Sequence, residues 1–557
     1  MKENLKKIVD QALPDILNRL GVELRAQDIS YTVERPTVRA FGDVSINLGF
    51  HLGRRLGKNP YEVAGICKQV MEQKIKGTQA WRECVEAITV ERPGFINFKL
   101  TPFFIVQQLH DVRKKDDLFG RSSHGRATKV LLEFVSANPT GPLTIAHGRQ
   151  AAIGDALARI LRAVGFKPYK EFYLNDSGRQ TRLLGESLHA RYDELFGLKS
   201  SIPKDGYHGT YLIEIAGLLK EKKGDSLLKG EESDVLKEMN EFAVGSLLEK
   251  IKQDLKDFGV TFDEYFSEQT LFDKKLIEKT LKVLDAQGLL YESEGALWFR
   301  STKFGDDKDR VLRKQNGEYA YLAPDIAYHQ TKFDRGFEKM INLWGPDHHG
   351  YIPRMKAAIK ALGHPDDAVK ILIVQLATLY RGGELVRMST RQGTFVTLRE
   401  LMDEVGMDAT RFFFLMRKVE SHLNFDSELA KSKSEENPVY YVQYAHARIC
   451  SVLTFARRKM KPDTDLSLIK EPEALELAKK LLAYPEALQL AADHLEPYRV
   501  TDYLRELAAA FHQFYAVHRV VSEENALTDA RLFLIDCVRI VLRNGLNILG
   551  VSAPVTM

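Results

Sequence analysis

One run of the sequence, from Lys129 to Arg149, combines residue types that could hold a phosphate group. An apolar strand is followed by a turn rich in proline and glycine, and then by the first turn of a helix. The N-terminus of a helix offers unpaired backbone N–H groups and a partial positive charge, so it attracts anions. His147 lies at this helix start and could donate a further hydrogen bond. A glycine-proline turn alone would indicate only an ordinary strand-to-helix corner, and the whole run is more specific than that.

The same run begins a pattern that predicts a parallel, doubly wound sheet. A helix over Arg149–Val164, ended by Gly165, is followed by a strand over Lys170–Leu174. This strand–helix–strand order is typical of a parallel sheet. Residues 200–260 carry Lys, Glu and Leu at helical spacing and indicate a helical insertion between the two halves of the sheet. Further strands are predicted for Ala296–Arg300, Tyr319–Leu322 and Met340–Trp344.

On either side of this Rossmann-like part, the sequence predicts an N-terminal α+β domain and a C-terminal all-α bundle. Apolar residues indicate one amphipathic helix from Leu5 to Leu20, and Gly94–Phe98 alternates like a strand. The charged connector Arg113–Arg126 marks a boundary. From about residue 400 helix patterns dominate, up to a last helix over Asp529–Leu549 with Thr528 as its N-cap. The predicted divisions are 1–105, 126–370, 371–435 and 436–557.

Composition excludes several classes of protein. The 557 residues are 44% hydrophobic, which is enough for several cores. Basic and acidic residues nearly balance, 80 against 76, so any contact with nucleic acid must come from local patches. The four cysteines are scattered singly, which argues against a zinc site or a disulfide framework. The sequence shows neither a signal peptide nor an apolar run of membrane-spanning length, so we expect a soluble cytoplasmic protein.

The stretch Thr144–His147 resembles the HIGH signature of class I aminoacyl-tRNA synthetases. The preceding stretch Glu133–Pro142 resembles the version found in arginyl-tRNA synthetases, and the likeness extends over nearly the whole chain. It implies that the chain ligates L-arginine to tRNA(Arg) through an arginyl-adenylate. ATP would be a substrate that arrives with Mg²⁺, and a resident metal is not expected. We further expect a monomer that does not associate with membranes.

Two residues of the first signature depart from the family. Thr144 stands where the family has its first histidine and keeps only a hydroxyl donor. Ala146 stands where the family has glycine and places a methyl group near the expected adenine. The resemblance nevertheless implies that Thr144 and His147 take part in the chemical step and contact ATP.

The second half of the chain carries a loop that resembles the KMSKS signature of the same family. Three residues fit that pattern: Arg387, Met388 and Ser389. Basic and hydroxyl side chains in such a loop stabilise a pyrophosphate leaving group, so Arg387 and Ser389 are assigned to the chemical step. Thr390 stands where the family has its second lysine. By the resemblance we assign the missing charge to Lys129, which precedes the first signature, with help from Arg391.

A planar guanidinium group is best recognised by carboxylates together with a group that fixes its plane. Pro324 predicts a helix start, with Asp325 in the first turn of that helix. The resemblance implies that arginine is held by these residues and by groups near the first signature: Glu133, Ser136, Asn138, His147, Tyr321 and Asp325. It also implies that ATP contacts Thr144, Ala146, His147, Gly345, Asp347 and Met388. The neighbouring His348 and His349 are more typical of a structural role than of a metal site.

One stretch of the C-terminal helices carries side chains that could contact RNA. Tyrosine and histidine stack on unpaired bases, and arginine holds phosphates or reads base edges. The resemblance implies that this part binds the anticodon, and we assign that contact to Tyr440, Tyr444, His446 and Arg448. A bundle helix with core aromatics is the alternative, and Tyr441 is predicted to belong to that core. The first 105 residues resemble the family's additional domain, which contacts the tRNA elbow.

Two alternatives remain open from the sequence. The chain could be a class I synthetase for another amino acid, although it lacks the zinc ligands of the cysteinyl type and the large editing insertion of the leucyl and valyl types. It could also be a tRNA-binding protein without activity, because three signature residues depart from the family: Thr144, Ala146 and Thr390.

Overall fold

The structure is a computed structural model that describes residues 2–36, 38–176, 178–386 and 395–557. In chain order the strands are β1 (Val33–Glu34), β2 (Val44–Ile46), β3 (Val85–Glu91), β4 (Phe95–Leu100), β5 (Lys129–Glu133), β6 (Lys167–Leu174), β7 (Glu264–Ser267), β8 (Leu290–Ser293), β9 (Ala296–Phe299), β10 (Arg310–Arg313), β11 (Lys339–Trp344), β12 (Val369–Ile373), β13 (Ala377–Arg381), β14 (Glu384–Leu385) and β15 (Leu423–Asp426).

The helices are, in the same order, α1 (Lys2–Asp10), α2 (Leu13–Leu20), α3 (Leu48–Leu56), α4 (Pro60–Gly77), α5 (Gln79–Cys84), α6 (Pro102–Gln107), α7 (Leu109–Lys115), α8 (Ile145–Ala163), α9 (Arg179–Glu194), α10 (Tyr211–Lys223), α11 (Glu232–Asp257), α12 (Gln269–Asp273), α13 (Leu276–Ala286), α14 (Leu322–Asp334), α15 (Ile352–Ala361), α16 (Leu398–Val405), α17 (Met407–Leu415), α18 (Ser427–Lys431), α19 (Pro438–Ala456), α20 (Pro472–Leu481), α21 (Tyr484–His494), α22 (Tyr498–Val517) and α23 (Asn525–Leu549).

The central sheet confirms the predicted doubly wound fold. Its strand order is β12-β11-β5-β6-β7, and all neighbouring strands are parallel. The chain starts in the middle at β5, builds one side through β6 and β7, and returns to build the other side through β11 and β12. The point where the winding reverses lies between β5 and β11, and such a point opens a crevice at the carboxyl ends of the strands.

Helix α8 leads away from this crevice and is longer at its start than predicted. It begins at Ile145 rather than at Arg149, because Thr144 already serves as its N-cap. The helix lies unusually close to the sheet at Gly154, where a Cβ atom would overlap the ring of Phe134. The first turn of α8 follows the loop that leaves the carboxyl end of β5, so it lies at the carboxyl edge of the sheet.

Two insertions interrupt the central sheet. Helices α9, α10 and α11 lie between β6 and β7 and share a separate apolar core. The predicted helical insertion therefore exists, but it interrupts the first half of the sheet instead of separating the two halves. The strands β8, β9 and β10 form a small antiparallel sheet between α13 and α14. The predicted strand at Ala296 therefore exists but does not join the central sheet.

Three other predictions of local structure are wrong. Tyr319–Leu322 is not a strand, since Tyr319 makes only an isolated bridge to Arg313 and Leu322 begins α14. The single helix predicted from Leu5 to Leu20 is two helices, α1 and α2, because Pro14 lacks the N–H that would continue the first. Thr528 is not an N-cap but lies buried inside α23, where its hydroxyl donates to the backbone oxygen of Ser522.

The flanking regions pack around the central domain. Strands β1 to β4 form an antiparallel sheet in the N-terminal part. Strand β15 pairs with β13, so the part after residue 400 is not wholly helical before the bundle of α19 to α23.

A buried group of charges joins α8, the central sheet and the C-terminal bundle. Arg159 and Lys170 each form an ion pair with Asp155, at 2.7 Å and 3.0 Å, and Arg411 forms another at 2.7 Å. We call these four residues the Asp155 cluster. Arg411 also donates to the backbone oxygens of Leu549 and Phe258, so its guanidinium is fully engaged at the C-terminal ends of two helices.

Candidate active site

The candidate site lies at the carboxyl edge of the central sheet, beside the reversal between β5 and β11. A strained turn follows β5 there: Val135 and Ser136 both have left-handed backbone angles, with φ of 68° and 40°. Such angles are costly for residues other than glycine and cluster at functional sites. The turn is held by Ser136, whose hydroxyl oxygen accepts a hydrogen bond of 3.1 Å from the backbone N–H of Tyr173.

His147 occupies the first turn of α8 in a defined state. Its Nδ1 accepts a hydrogen bond of 3.2 Å from the backbone N–H of Thr144, so the ring proton is on Nε2. Burial lowers the pKa of His147 to about 4, which keeps the ring neutral. His147 can therefore donate from Nε2 to a phosphate oxygen near the positive end of α8.

The first turn of α8 also touches the segment that follows residue 395. Thr144 forms an isolated β-bridge with Thr397, and the backbone N–H of Leu398 donates to Leu143 at 2.8 Å. Gly148 faces Leu398 so closely that a Cβ atom would force the leucine to move. The segment that follows the second signature in sequence therefore packs against the first turn of α8.

The predicted guanidinium ligand Asp325 lies in the first turn of α14 and is partly buried. Its Oδ2 accepts a hydrogen bond of 2.5 Å from the hydroxyl of Tyr351. Burial is the largest influence and raises the pKa of Asp325 to about 7, and the neighbouring carboxylates Glu133 and Glu268 add to this, whereas Tyr351 and Lys332 oppose it. A cation bound beside Asp325 would lower this raised pKa.

Glu133 ends β5 and is buried against an ammonium group. Lys332 is fully buried, and its Nζ lies 2.5 Å from Glu133 Oε2 and 4.1 Å from the centre of the Tyr328 ring. The other oxygen of Glu133 is 3.5 Å from the Ser136 hydroxyl, a long contact that leaves this oxygen able to accept a stronger donor. Glu133, Glu268, Asp325 and Lys332, which we call the Glu133 cluster, contain three carboxylates and one cation.

Aromatic side chains enclose this acidic group. The rings of Tyr173 and Tyr328 lie 4.5 Å apart, and that of Phe266 lies 4.9 Å from Tyr328. Burial raises the pKa of the Tyr173 hydroxyl, and the carboxylates of the Glu133 cluster raise it further, which places this hydroxyl among them. An aromatic wall around a group of carboxylates suits a ligand that is both cationic and planar.

The remaining predicted ligands lie at the rim of the same edge. Asn138 donates to Gln180 at 2.6 Å. Gly345 and Asp347 directly follow β11, with the Asp347 side chain 78% exposed, and Ala146 is half-buried in the first turn of α8. Tyr321 immediately precedes α14, and its side chain is 86% exposed. Their roles stay predictions.

Lys129 is not at the site, which corrects the sequence-based assignment. It begins β5, whereas the site lies where β5 ends, and the neighbouring Ala127 bonds to Gly165 beyond the far end of α8. From His147 to Ala163 the helix advances about 24 Å at 1.5 Å per residue. A lysine side chain cannot span that distance. The residues of the second signature fall outside the described residues: Arg387, Met388, Ser389, Thr390 and Arg391.

The predicted RNA contact on α19 divides into an outer face and a buried face. Tyr440 stacks on Tyr444 with ring centres 6.0 Å apart, and the exposed Arg448 lies one further turn along the helix. His446 is wrong as a contact, because it is 2% exposed and its Nδ1 bonds to the backbone oxygen of Pro554 at 2.8 Å. Two positions apart on a helix are about 200° apart around its axis, so His446 cannot share a face with Tyr444.

The structure adds residues to both sites that the sequence did not single out. His512 and Tyr515 of α22 continue the outer face of α19: His512 stacks on Tyr444, and Arg448 lies 5.1 Å from the Tyr515 ring centre. Tyr441 is only partly buried and also contacts His512. At the candidate active site the additions are Lys332 and Tyr351. Each lies far in sequence from its partner, Glu133 or Asp325, so the sequence gave no signal for these contacts.

Among the described residues, no group of three or more histidine, cysteine, aspartate or glutamate side chains is arranged to hold a metal ion. No helix in the described ranges has both the length and the apolar character needed to cross a bilayer.

Comparison with known proteins identifies the family of the chain. Family models match residues 3–100 (arginyl tRNA synthetase N terminal domain), 108–432 (tRNA synthetases class I (R), catalytic domain) and 442–557 (DALR anticodon binding domain). The arginine–tRNA ligase of Citrifermentans bemidjiense is 48% identical over 94% of both chains, and that of Bacillus subtilis is 42% identical over 100% of this chain and 99% of its own. The solved Thermus thermophilus arginyl-tRNA synthetase shares the fold, with a TM-score of 0.75, 23% identity and full coverage of both chains. The chain therefore belongs to the arginyl-tRNA synthetases, with a class I catalytic domain.

Proposed function

We propose that the chain ligates L-arginine to tRNA(Arg) at the expense of ATP. The observation that carries this proposal is the Glu133 cluster, which has three carboxylates against one cation and lies at the same sheet edge as the first turn of α8. Such a site can take a ligand with two positive groups, next to a helix start that can take phosphates. Arginine with ATP satisfies both requirements.

In the first step a carboxylate oxygen of arginine attacks the α-phosphorus of ATP, and pyrophosphate leaves. We assign the α-ammonium of arginine to Glu133 and the guanidinium to Asp325. His147 donates from Nε2 to a phosphate oxygen, while the backbone N–H groups of α8 offset the negative charge. Mg²⁺ would arrive with ATP and neutralise its phosphates.

In the second step a hydroxyl of the terminal adenosine attacks the carbonyl carbon of the adenylate, and AMP leaves. The resemblance to class I enzymes favours the 2′-hydroxyl. Both steps rest on positioning and electrostatics rather than on a covalent intermediate with the protein. We expect the chain to act as a monomer in the cytoplasm.

A charging assay tests the reaction. Purified protein with total tRNA, ATP and labelled arginine should give acid-precipitable label, and replacing arginine by lysine or another amino acid should give none. Absence of charging would favour the tRNA-binding protein without activity. Charging with a different amino acid would favour another class I specificity.

We also propose that the outer face of α19 and α22 contacts unpaired bases of the tRNA. The row of Tyr440, Tyr444, His512 and Arg448 offers stacking surfaces and a cation on one side of the bundle. For the N-terminal part, we propose contact with the tRNA elbow through the helix that carries Arg54 and Arg55.

A matched pair of variants on α19 tests the base contacts. Arg448→Ala should weaken binding of cognate tRNA by about 1–3 kcal/mol and leave the melting temperature unchanged. His446→Ala should do the reverse, since His446 is buried behind that face. Wild-type tRNA affinity for Arg448→Ala at physiological salt would remove this face from the tRNA site.

A further inference from the structure

We propose that a buried chain of hydrogen bonds runs from the backbone oxygen of Asp325 through His329, Asn342 and Lys332 to Glu133. By holding the first turn of α14 against the end of β5, it fixes the distance between the two carboxylates and thereby selects the length of the substrate's side chain. This inference rests on the function proposed above and extends it to residues that do not themselves touch the substrate. His329, Asn342 and Lys332 are positioning residues in this account.

The hydrogen-bond chain is continuous from the residue that carries one carboxylate, Asp325, to the residue that carries the other, Glu133. The backbone oxygen of Asp325 accepts from His329 Nδ1 at 2.8 Å, and His329 Nε2 accepts from the Asn342 amide nitrogen at 2.8 Å. The contact between the Asn342 amide oxygen and Lys332 Nζ is 3.5 Å, which makes it the longest and weakest link, and Lys332 reaches Glu133 Oε2 at 2.5 Å. Every link joins a donor to an acceptor.

His329 is neutral with its proton on Nδ1, which is the state that the hydrogen-bond chain requires. A backbone oxygen can only accept and an amide nitrogen can only donate, so the proton must be on Nδ1 and the lone pair on Nε2. Burial lowers the pKa of His329 to about 3, and the positive charge of Lys332 contributes to this. A protonated ring would lose the bond from Asn342, and burial disfavours that form.

The residues of the hydrogen-bond chain lie on a buried strand and a buried helix. Asn342 in β11 pairs in register with Glu133 in β5, while His329 and Lys332 lie one turn apart on α14. Asn342 and Lys332 are fully buried, and His329 is 3% exposed. Without solvent as a substitute partner, the polar atoms keep these particular bonds.

Each carboxylate also has one oxygen that is already held, that of Glu133 by a member of the hydrogen-bond chain and that of Asp325 by a residue outside it. Lys332 holds Glu133 Oε2, and Tyr351 holds Asp325 Oδ2. The spacing of the two carboxylates is set before any ligand arrives. An amino acid with a guanidinium group can pair both of its ends only if the number of methylene groups matches that spacing.

The test measures binding of three guanidino amino acids by calorimetry: arginine, 2-amino-4-guanidinobutyrate with one methylene fewer, and homoarginine with one more. Wild-type protein should bind arginine best. His329→Leu removes two links without changing charge, and it should raise the arginine Kd about tenfold while the preference over the two other lengths falls. His329→Gln keeps an acceptor toward Asn342 and should lie between wild type and His329→Leu.

A second variant and a control complete the test. Asn342→Leu breaks the chain from the strand side and should reproduce the loss of preference if His329→Leu does not fold. Lys170→Met in the Asp155 cluster removes a buried ammonium away from the site, and it should lower the melting temperature while leaving all three Kd values unchanged.

Three results would overturn the inference. Arginine affinity within twofold of wild type in folded His329→Leu or Asn342→Leu would show that the chain does not position the carboxylates. An equal loss of affinity for all three ligands would show a general role without length selection. A wild-type protein that binds none of the ligands would overturn the proposed function as well.

Discussion

Two buried groups of charges in this protein differ in how their charge is balanced. The Asp155 cluster sets one carboxylate against three cations, and the Glu133 cluster sets three carboxylates against one cation. The surplus cations of the Asp155 cluster are satisfied by backbone. Arg411 donates to the oxygens of Leu549 and Phe258, and Arg159 donates to those of Asn547 and Gly259.

These backbone oxygens lie at the C-terminal ends of α11 and α23, where helices carry partial negative charge. The Asp155 cluster is therefore complete within the folded chain. In the Glu133 cluster the carboxylates outnumber the cation, and burial raises the pKa of Asp325 to about 7, with Glu133 and Glu268 adding to the shift. We call the Asp155 cluster closed and propose that it stabilises the fold. We call the Glu133 cluster open and propose that a ligand completes it.

The largest expected effect on stability is in the closed cluster. Arg411→Met leaves two backbone oxygens without a donor and removes a partner of Asp155. Breaking such a buried pair should lower the free energy of unfolding by about 3–5 kcal/mol, measured by denaturant titration. The arginine Kd of the folded variant should stay within twofold of wild type. Unchanged stability would contradict the structural role of the cluster.

The largest expected effect on function is in the open cluster. Asp325→Ala removes the proposed partner of the guanidinium, and loss of a buried charge pair costs about 2–5 kcal/mol. The value of kcat/KM for arginine should fall tens-fold to thousands-fold, with the KM for ATP nearly unchanged. Normal charging by this variant would remove Asp325 from the arginine site.

The open cluster should also destabilise the unliganded protein as the pH rises. The pKa of Asp325 is about 7 in the folded chain and near 3.8 when unfolded, so the folded state holds an extra proton between these values. Stability from this group is present at low pH and is lost as the pH rises toward 7. Asp325→Asn should therefore raise the melting temperature more at about pH 8 than at about pH 5. An equal change at both pH values would contradict the raised pKa.

The smallest expected effect is at Lys129, which belongs to neither cluster. Lys129→Ala should change the rate of adenylate formation less than about twofold, because Lys129 begins β5 and therefore lies at the edge of the sheet opposite the site. The matched variants Arg387→Ala and Arg391→Ala, assayed in the same way, test whether one of these arginines supplies the charge instead of Lys129. A hundredfold loss with Lys129→Ala would restore the original assignment.

The sequence predicted the doubly wound sheet and the local shape of the site, because both depend on neighbouring residues. The apolar run before Glu133, the turn and the start of α8 lie within about twenty residues of one another. The error at Lys129 has a physical cause: in a parallel sheet only the carboxyl ends of the strands face the crevice. Strand direction alone would have excluded it.

Other parts of the site depend on contacts that a single sequence does not display. Lys332 and Glu133 are 199 positions apart, and only the pairing of β5 with β11 and the packing of α14 bring them together. His512 is likewise distant in sequence from Tyr444. By contrast, the error at His446 was avoidable, since Tyr440, Tyr444 and Arg448 share one helical face and His446 does not.

The central claim is that arginine completes the open cluster, and proton release tests it most directly. Calorimetric titration of wild-type protein with arginine, in two buffers of different ionisation enthalpy near pH 6.5, counts the protons exchanged on binding. A guanidinium beside Asp325 lowers its raised pKa, so binding should release a fraction of a proton that disappears in Asp325→Asn. Arginine binding with no proton release in wild type, or with equal release in Asp325→Asn, would contradict the account.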